Sequence, residues 1–198
     1  MYNSKVILNI GLGNPGKKYI FQRHNIGFLA IDEILRSVNV SNLKTKFYSD
    51  FFESNFQRKK ILFIKPKTYM NNSGIAAQSA IKFFKLSLSS VFVWHDDIDL
   101  PCGKVKVKIG GGNGGHNGLK SIDSIVGKDY VRIRIGVGKP QNNIETSQWV
   151  LSTFSKDELN GWIKDLLVKM SKEKSKLFHH NFSEFMNNIL KPSKIMNN

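Results

Sequence analysis

The chain of 198 residues has one cysteine, five prolines and half as many acidic as basic side chains. Because Cys102 is the single cysteine, no internal disulfide can form, which favours a reducing compartment. No apolar run approaches the roughly 20 residues of a membrane span. The opening "MYNSKVILNI" lacks the long apolar core and cleavage site of a signal peptide. These absences predict a cytoplasmic protein without a membrane segment.

The shortage of acidic residues leaves a formal net charge of +15. Such an excess favours a polyanionic partner, nucleic acid first and an anionic membrane surface second, with a general lysine bias as the alternative. Two strand-like segments alternate basic and apolar residues, so that each carries its basic side chains on one face: Lys104, Lys106 and Lys108 on one, Arg132 and Arg134 on the other. If these strands are neighbours, they form a basic stripe suited to phosphates.

Apolar runs that alternate with helical patterns predict an α/β fold. The strands are predicted at 5–12, 61–65, 90–94, 104–109 and 130–137, with a weaker candidate at 46–54. Helical patterns follow His24 and Ser73, and another follows a capping box formed by Ser155 and Glu158. We expect a single domain with a twisted, mostly parallel or mixed sheet flanked by helices. The continuously apolar "VILNI" and "VFVW" should be its central strands.

Three glycines after the first strand have the G-x-G-x-x-G spacing of a dinucleotide site: Gly11, Gly13 and Gly16. Such a site requires the third glycine to open a helix whose N-terminus receives the pyrophosphate. Here no helical pattern begins until about Ile26, and Asp32 would lie inside that helix. The context argues against a dinucleotide oxidoreductase, which would show saturable NAD(H) binding.

A second glycine cluster runs from 110 to 118 and lacks the lysine and hydroxyl positions of a phosphate-binding P-loop. It lets the backbone approach a ligand closely, and it carries His116 and Asn117. In open α/β sheets, ligands bind beyond the carboxyl ends of the strands. Further polar residues follow predicted strands or begin helices there: Asn14, His24, Asn71 and Asp96.

These residue types favour general-base hydrolysis. No serine lies in a G-x-S-x-G elbow and Cys102 has no base beside it, so a covalent nucleophile lacks support. The segment "HDDID" at 95–99 could contribute metal ligands, but no further ligand set accompanies it. What remains is an imidazole base oriented by a carboxylate, with asparagine amides as hydrogen-bond donors. This chemistry suits the hydrolysis of an ester or similar acyl bond. His24 and His116 both stay open as the base, with a modest preference for His24.

Five segments, in their order and spacing, resemble the bacterial peptidyl-tRNA hydrolases: "GLGNPGKKY…RHNIG", "KPKTYMNNSG", "HDDIDLPCG", "GGGNGGHNGLKSI" and "RIRIGVGKP". The similarity spans about Lys5 to Phe154 and is weaker beyond. It implies a monomeric α/β enzyme that cleaves the ester joining a peptide to the terminal ribose of tRNA, without a cofactor or metal. A catalytically inactive RNA-binding protein on the same scaffold is the alternative.

The resemblance also implies residue roles. His24 is the catalytic base and Asp96 its carboxylate partner. The substrate-binding positions are Asn14, Tyr19, Met70, Asn71 and Asn117, of which the asparagines position substrate and water while the other two line the peptide channel. Lys108 and Arg134 bind the terminal phosphate of tRNA. The C-terminal helical part, about 144–190 of a single domain covering 1–198, resembles a lid over the channel. Gln22 and Cys102 depart from the threonine and proline usual in the family.

Overall fold

The computed structural model describes residues 5–140 and 144–191. Seven strands form one mixed sheet in the order β2-β3-β4-β1-β5-β7-β6. The strands are β1 Val6–Gly11, β2 Lys44–Lys46, β3 Ser49–Phe56, β4 Lys59–Pro66, β5 Val91–Asp97, β6 Val105–Ile109 and β7 Val131–Gly136. The predicted α/β fold with a single domain is confirmed. The outer parts of the predicted span 1–198 (1–4 and 192–198), together with 141–143, lie outside the described residues.

The centre of the sheet is parallel. Strand β1 pairs in parallel with β4 and β5, and β5 pairs in parallel with β7. The edges are antiparallel, since β3 runs against β4, β2 against β3 and β6 against β7. The prediction of central strands for "VILNI" and "VFVW" is confirmed, because β1 and β5 lie side by side and are buried. The carboxyl ends of four parallel strands therefore meet at one edge.

Helices cover both faces of the sheet, and each face has its own apolar core. The helices are α1 Ile26–Arg36, α2 Ser73–Phe84, α3 Asn117–Val126, α4 Thr146–Leu151, α5 Lys156–Glu158, α6 Lys164–Lys172, α7 Lys174–Phe178 and α8 Phe182–Leu190. One core joins α1 and the C-terminal helices to the sheet, and the other joins α2 and α3 to the opposite face. Among the helices of the described ranges, none is long and apolar enough to cross a membrane.

The weak strand candidate at 46–54 is confirmed over 49–54, which belongs to β3, whereas its first residues form a hairpin turn with β2. Strand β2 ends at Lys46 and β3 begins at Ser49, so that Phe47 and Tyr48 form the turn with φ of 54° and 53°. Two-residue hairpin turns require positive φ and usually take Asn-Gly, so no standard turn signal marks this position. Phe47 occupies it because its ring packs edge-on against Phe51 and beside Phe84. A tertiary contact therefore overrides the local preference.

The C-terminal capping box is confirmed: Ser155 and Glu158 each accept from the other's backbone N–H. Helices α5 and α6 are joined by a π-helical turn, Leu159–Ile163, in which Gly161 leaves helical geometry. Because a π-turn shifts the register of side chains, it was not expected from the regular apolar spacing. The apolar side chains of this helical region still reach the core, where Ile163, Leu166 and Met170 are buried.

The first glycine motif does not open a long helix. Gly16 has a φ of 114° and precedes a single 3-10 turn, Lys17–Tyr19, whereas the first α-helix begins at Ile26. Asp32 lies inside that helix and pairs with Lys65 at 2.5 Å. The context required by a dinucleotide site is absent from this part of the described chain, as the sequence indicated.

Candidate active site

A short 3-10 turn, Arg23–Asn25, places His24 at the start of α1 and at the carboxyl edge of the sheet. The helix can lie this close because of Gly27. A Cβ atom there would come within 2.3 Å of the Trp94 carbonyl oxygen and 2.6 Å of the Leu12 carbonyl oxygen. Since Trp94 lies in β5 and Leu12 directly follows β1, Gly27 sets the distance between His24 and the end of β5.

Asp96, near the end of β5, accepts hydrogen bonds from two imidazoles through one oxygen. Its Oδ1 lies 2.8 Å from His24 Nδ1 and 3.0 Å from His116 Nε2. All three side chains are largely buried. The predicted pair of His24 and Asp96 is therefore in contact, and His116, the rival base, shares the same carboxylate.

The hydrogen bonds define the proton positions on both rings. Burial alone would raise the pKa of Asp96, but the two imidazoles outweigh it and lower the pKa well below its ordinary value, so the carboxylate can only accept. His116 Nδ1 caps α3 by accepting from the N–H groups of Gly118 and Leu119, at 3.1 and 3.3 Å. His116 is therefore neutral, with its proton on Nε2. His24 donates through Nδ1, which leaves the Nε2 lone pair of neutral His24 free to accept a proton.

The same contacts tune the basicity of His24. Burial lowers the pKa of His24, but the charge and hydrogen bond of Asp96 outweigh this effect and raise the pKa above 6.5. His95 behaves in the opposite way. It is buried beside Asp96, donates through Nδ1 to the Asp96 carbonyl at 2.8 Å, and burial lowers its pKa to about 3. Of these two histidines, only His24 can exchange a proton near neutral pH.

Asn14 is held in a network of amides behind His24. Its Oδ1 accepts from the Met70 backbone N–H at 2.9 Å. Its own backbone is fixed by Asn25, whose side chain accepts from Asn14 N and donates to Asn14 O, both at 2.9 Å. The side-chain Nδ2 of Asn14 has no partner within the described residues and remains available as a donor. The network was not predicted, because Asn25 gave no signal beyond its place after His24.

The other predicted substrate-binding residues lie on turns at the same edge. Met70 and Asn71 belong to the 3-10 turn Met70–Asn72, where Met70 is buried and Asn71 is exposed. Tyr19 is half-buried and packs edge-on against Tyr69. Asn117 is exposed as the first residue of α3. The amides of Asn71 and Asn117 have no hydrogen-bond partner in the described ranges, so both can serve a ligand.

A cavity of about 230 Å³ extends from this site under the second glycine cluster. Its walls include the three side chains of the Asp96 cluster, then Asn117, and further along Lys108 and Arg134. Strands β6 and β7 are neighbours, so the predicted basic stripe forms in part. Lys108 is exposed, and Arg134 is half-buried with its Nε donating to Asp97 at 2.6 Å.

Arg132 departs from the expectation of a basic outer face. Its side chain is 2 % exposed, pairs with Asp123 at 2.9 Å and donates to the Gly112 carbonyl at 2.6 Å. The guanidinium supports the glycine loop through the Gly112 carbonyl, and the residue also forms part of the cavity wall. The basic and apolar alternation of β7 could not predict the burial of Arg132, because its partner Asp123 lies on α3.

The cluster of His24, Asp96 and His116 also offers three possible metal ligands, whose atoms lie within 4.8 Å of one another. Hydrogen bonds already occupy the three atoms that face each other, and an ion there would have to displace both imidazole protons. From the segment 95–99, only Asp96 belongs to this group. The three side chains form a hydrogen-bonded cluster, in which both imidazoles donate to the same carboxylate oxygen and no ion is needed to hold them together.

A mostly parallel sheet with an imidazole–carboxylate pair and asparagine amides at its carboxyl edge is typical of one class, a hydrolase on an α/β scaffold. Comparison with known proteins specifies it further. The sequence model of the family described as Peptidyl-tRNA hydrolase matches residues 8–197. A peptidyl-tRNA hydrolase of Aliarcobacter butzleri is 54% identical over 154 residues, covering 77% of this chain and 82% of the relative. One of Rickettsia canadensis is 46% identical, covering 93% of this chain and all of the relative.

Solved structures agree with the sequence relatives. The crystal structure of peptidyl-tRNA hydrolase from Acinetobacter baumannii superposes with a TM-score of 0.86 at 30% identity, and the match covers 96% of each chain. The chain belongs to the peptidyl-tRNA hydrolase family. Because these relatives are named as hydrolases, the comparisons do not support the alternative of an inactive RNA-binding protein.

Proposed function

We propose that this chain hydrolyses the ester bond between the peptide and the terminal ribose of tRNA, with His24 as the general base. The observation that carries the proposal is the fixed tautomer of His24. With Nδ1–H bound to the ionised Asp96, its Nε2 lone pair lies free at a cavity that continues to Lys108 and Arg134. A base with its acceptor atom free and its donor atom held is what water activation requires.

The reaction follows from these atoms. His24 Nε2 takes a proton from water, and the resulting hydroxide attacks the ester carbonyl carbon. The charge that develops on the carbonyl oxygen is met by amide N–H groups from Asn14, Asn71 or Asn117. When the intermediate collapses, the ribose oxygen leaves with the proton held by His24. The products are a peptide with a free carboxylate and a tRNA with its terminal hydroxyl restored. Asp96 stabilises the imidazolium while it exists.

The remaining assignments concern substrate binding. Tyr19 and Met70 line the peptide side, and Lys108 with Arg134 contacts a phosphate at the acceptor end of tRNA. The helical part at 144–190 acts as a lid, which is supported by the presence of Thr146 and Val150 of α4 in the cavity wall. We further propose that the enzyme works as a cytoplasmic monomer, as the resemblance to the family implies.

Release of the acyl group from N-acetyl-aminoacyl-tRNA tests the proposal. We expect turnover by the unmodified protein and near-complete loss in a folded His24→Ala variant. His179→Ala is the matched control, because His179 is exposed at the end of α7 and should be dispensable. Equal rates for His24→Ala and the unmodified protein would transfer the role of base to another group. Binding of tRNA without turnover by the unmodified protein would refute the enzymatic function.

A further inference from the structure

Arg23, the residue before His24, is buried although it carries a permanent charge. Its side chain is 8 % exposed. Its guanidinium forms two hydrogen bonds with Glu158, at 2.8 and 3.2 Å, in the forked geometry that arginine makes with carboxylates. Burying a charge is unfavourable unless it is paired in this way. The partner lies 135 residues further along the chain, so the pair joins the catalytic turn to the C-terminal region.

Two aromatic rings enclose the same guanidinium. It lies 3.9 Å from the centroid of the Trp149 ring and 4.7 Å from that of Phe154. Arginine stacks on aromatic faces through its planar group, and the attraction is stronger away from water. Arg23, Trp149, Phe154 and Glu158 thus form one unit, called here the Arg23 clamp.

Backbone hydrogen bonds tie the two segments together beside the clamp. Arg23 N–H donates to the Ser152 carbonyl at 3.0 Å, and Phe154 N–H donates to the Phe21 carbonyl at 2.9 Å. Between them, Gln22 and Thr153 form an isolated antiparallel bridge. The start of the turn that carries His24 is therefore bound to the segment between α4 and α5.

The other end of the clamp reaches the cavity. Trp149 lies on α4, and its Nε1 donates to the Gly138 carbonyl at 2.8 Å, in the loop after β7. Thr146 and Val150 of the same helix line the cavity that contains His24 and Asp96. Any displacement of Arg23 would thus move both the base and one wall of the cavity.

We propose that Arg23 is a positioning residue, which acts through His24 and α4 and does not touch the substrate. The proposal rests on the proposed function of His24. The clamp holds His24 Nδ1 at Asp96 and holds α4 against the cavity, so that one buried charge fixes two parts of the site. Misplacement of a reacting group by about 1 Å can cost on the order of 100-fold in rate.

The test compares Arg23→Gln and the milder Arg23→Lys with Arg36→Gln. Arg36 forms a pair with Glu33 at 2.7 Å on the exposed face of α1, so its variant removes an arginine pair without touching the site. In folded Arg23→Gln we expect kcat to fall about 10- to 100-fold, with a smaller rise in KM from the loosened α4. Arg23→Lys keeps the charge but loses the fork and the stacking, so kcat should fall less. Arg36→Gln should match the unmodified protein.

A purely structural role would not move the titration of His24. If the clamp holds His24 at Asp96, Arg23→Gln should shift the acid limb of kcat/KM, and the titration of His24 followed by NMR, to lower pH. Adding Glu158→Gln to Arg23→Gln should recover part of the rate, because the glutamate left unpaired is then neutralised. An unchanged pH profile in a folded, slower variant would overturn the proposal, as would unchanged kcat. The NMR titration remains informative without turnover, so it separates this proposal from the proposed function.

Discussion

Replacing Asp96 with asparagine removes the charge of the buried carboxylate while preserving its shape. In Asp96→Asn, the amide oxygen can still accept from both imidazoles, provided that it occupies the place of Oδ1. His116 selects this orientation. Because its Nδ1 accepts from the N–H groups of Gly118 and Leu119, its Nε2 must donate toward residue 96. The flipped amide would place an N–H donor against another donor.

The expected loss follows from the change in hydrogen-bond type. A hydrogen bond to a charged group contributes about 1.5–3 kcal/mol and a neutral one about 0.5–1.5 kcal/mol. The bond to His24 should therefore weaken by about 1–2 kcal/mol, which corresponds to about a 5- to 30-fold lower rate. The pKa of His24 is raised above 6.5 by Asp96, which outweighs the lowering by burial, so it should fall in the variant.

The sign of the pH effect follows from the proposed role of His24 as a base. Only the neutral imidazole accepts a proton, so activity is lost as the pH falls through the raised pKa of His24. In Asp96→Asn, the acid limb of kcat/KM should move to lower pH. Acyl release from N-acetyl-aminoacyl-tRNA, measured between pH 5 and 9, gives both the loss of rate and the position of the acid limb. A limb that stays in place, or moves to higher pH, would refute the assignment of the raised pKa to Asp96.

The orienting role of His116 can be tested in the same experiment. When His116→Ala is combined with Asp96→Asn, the amide is free to flip, and its N–H would then donate to His24 Nδ1. The proton of His24 would move to Nε2, and the base would be lost, at a cost on the order of 10⁴-fold. We therefore expect Asp96→Asn to be far more damaging in the His116→Ala background. Equal losses in both backgrounds would show that His116 does not orient residue 96.

Two further predictions concern tRNA binding and the packing of α1. Affinity for tRNA should fall with salt, and Lys108→Ala combined with Arg134→Ala should reduce the slope of log affinity against log salt concentration by about 0.7–0.9, because the two residues share one phosphate contact. An unchanged slope would remove both residues from the phosphate site. Gly27→Ala should lower Tm by about 6–12 °C, since main-chain oxygens cannot rotate away and the overpacking costs about 3 kcal/mol. Gly112→Ala, where a Cβ meets nothing within 4 Å, is its control, and equal Tm values would contradict the close approach.

The sheet was predictable because its strands carry their own signals. The runs in β1 and β5 are apolar throughout, and such runs belong to central parallel strands. The hairpin at Phe47 and Tyr48 was not predictable as a turn, since its positive φ values are stabilised by rings from distant residues. For the same reason, the burial of Arg132 by Asp123 could not be read from the alternation of β7.

Part of the candidate site could likewise be predicted from the sequence, and part could not. The position of His24 and Asp96 after strands made their meeting at one sheet edge predictable from topology. The sharing of Asp96 by His116 was not predictable, because the sequence treated the two histidines as rivals for one role, with a modest preference for His24. The structure shows that His116 Nδ1 caps α3 instead. Arg23 and Glu158 lie on segments with no common motif, so only the folded chain brings them together.

The pairing of Arg23 with Glu158 also bears on when the enzyme becomes active during its own synthesis. His24 and Asp96 leave the ribosome early, but the residue that completes the clamp is made 135 positions after Arg23. Until then the nascent chain is itself joined to tRNA by the type of ester bond that we propose the finished enzyme cleaves. Because Glu158 lies so far along the sequence from Arg23, the clamp that supports the base cannot assemble until residues well beyond His24 and Asp96 have been made.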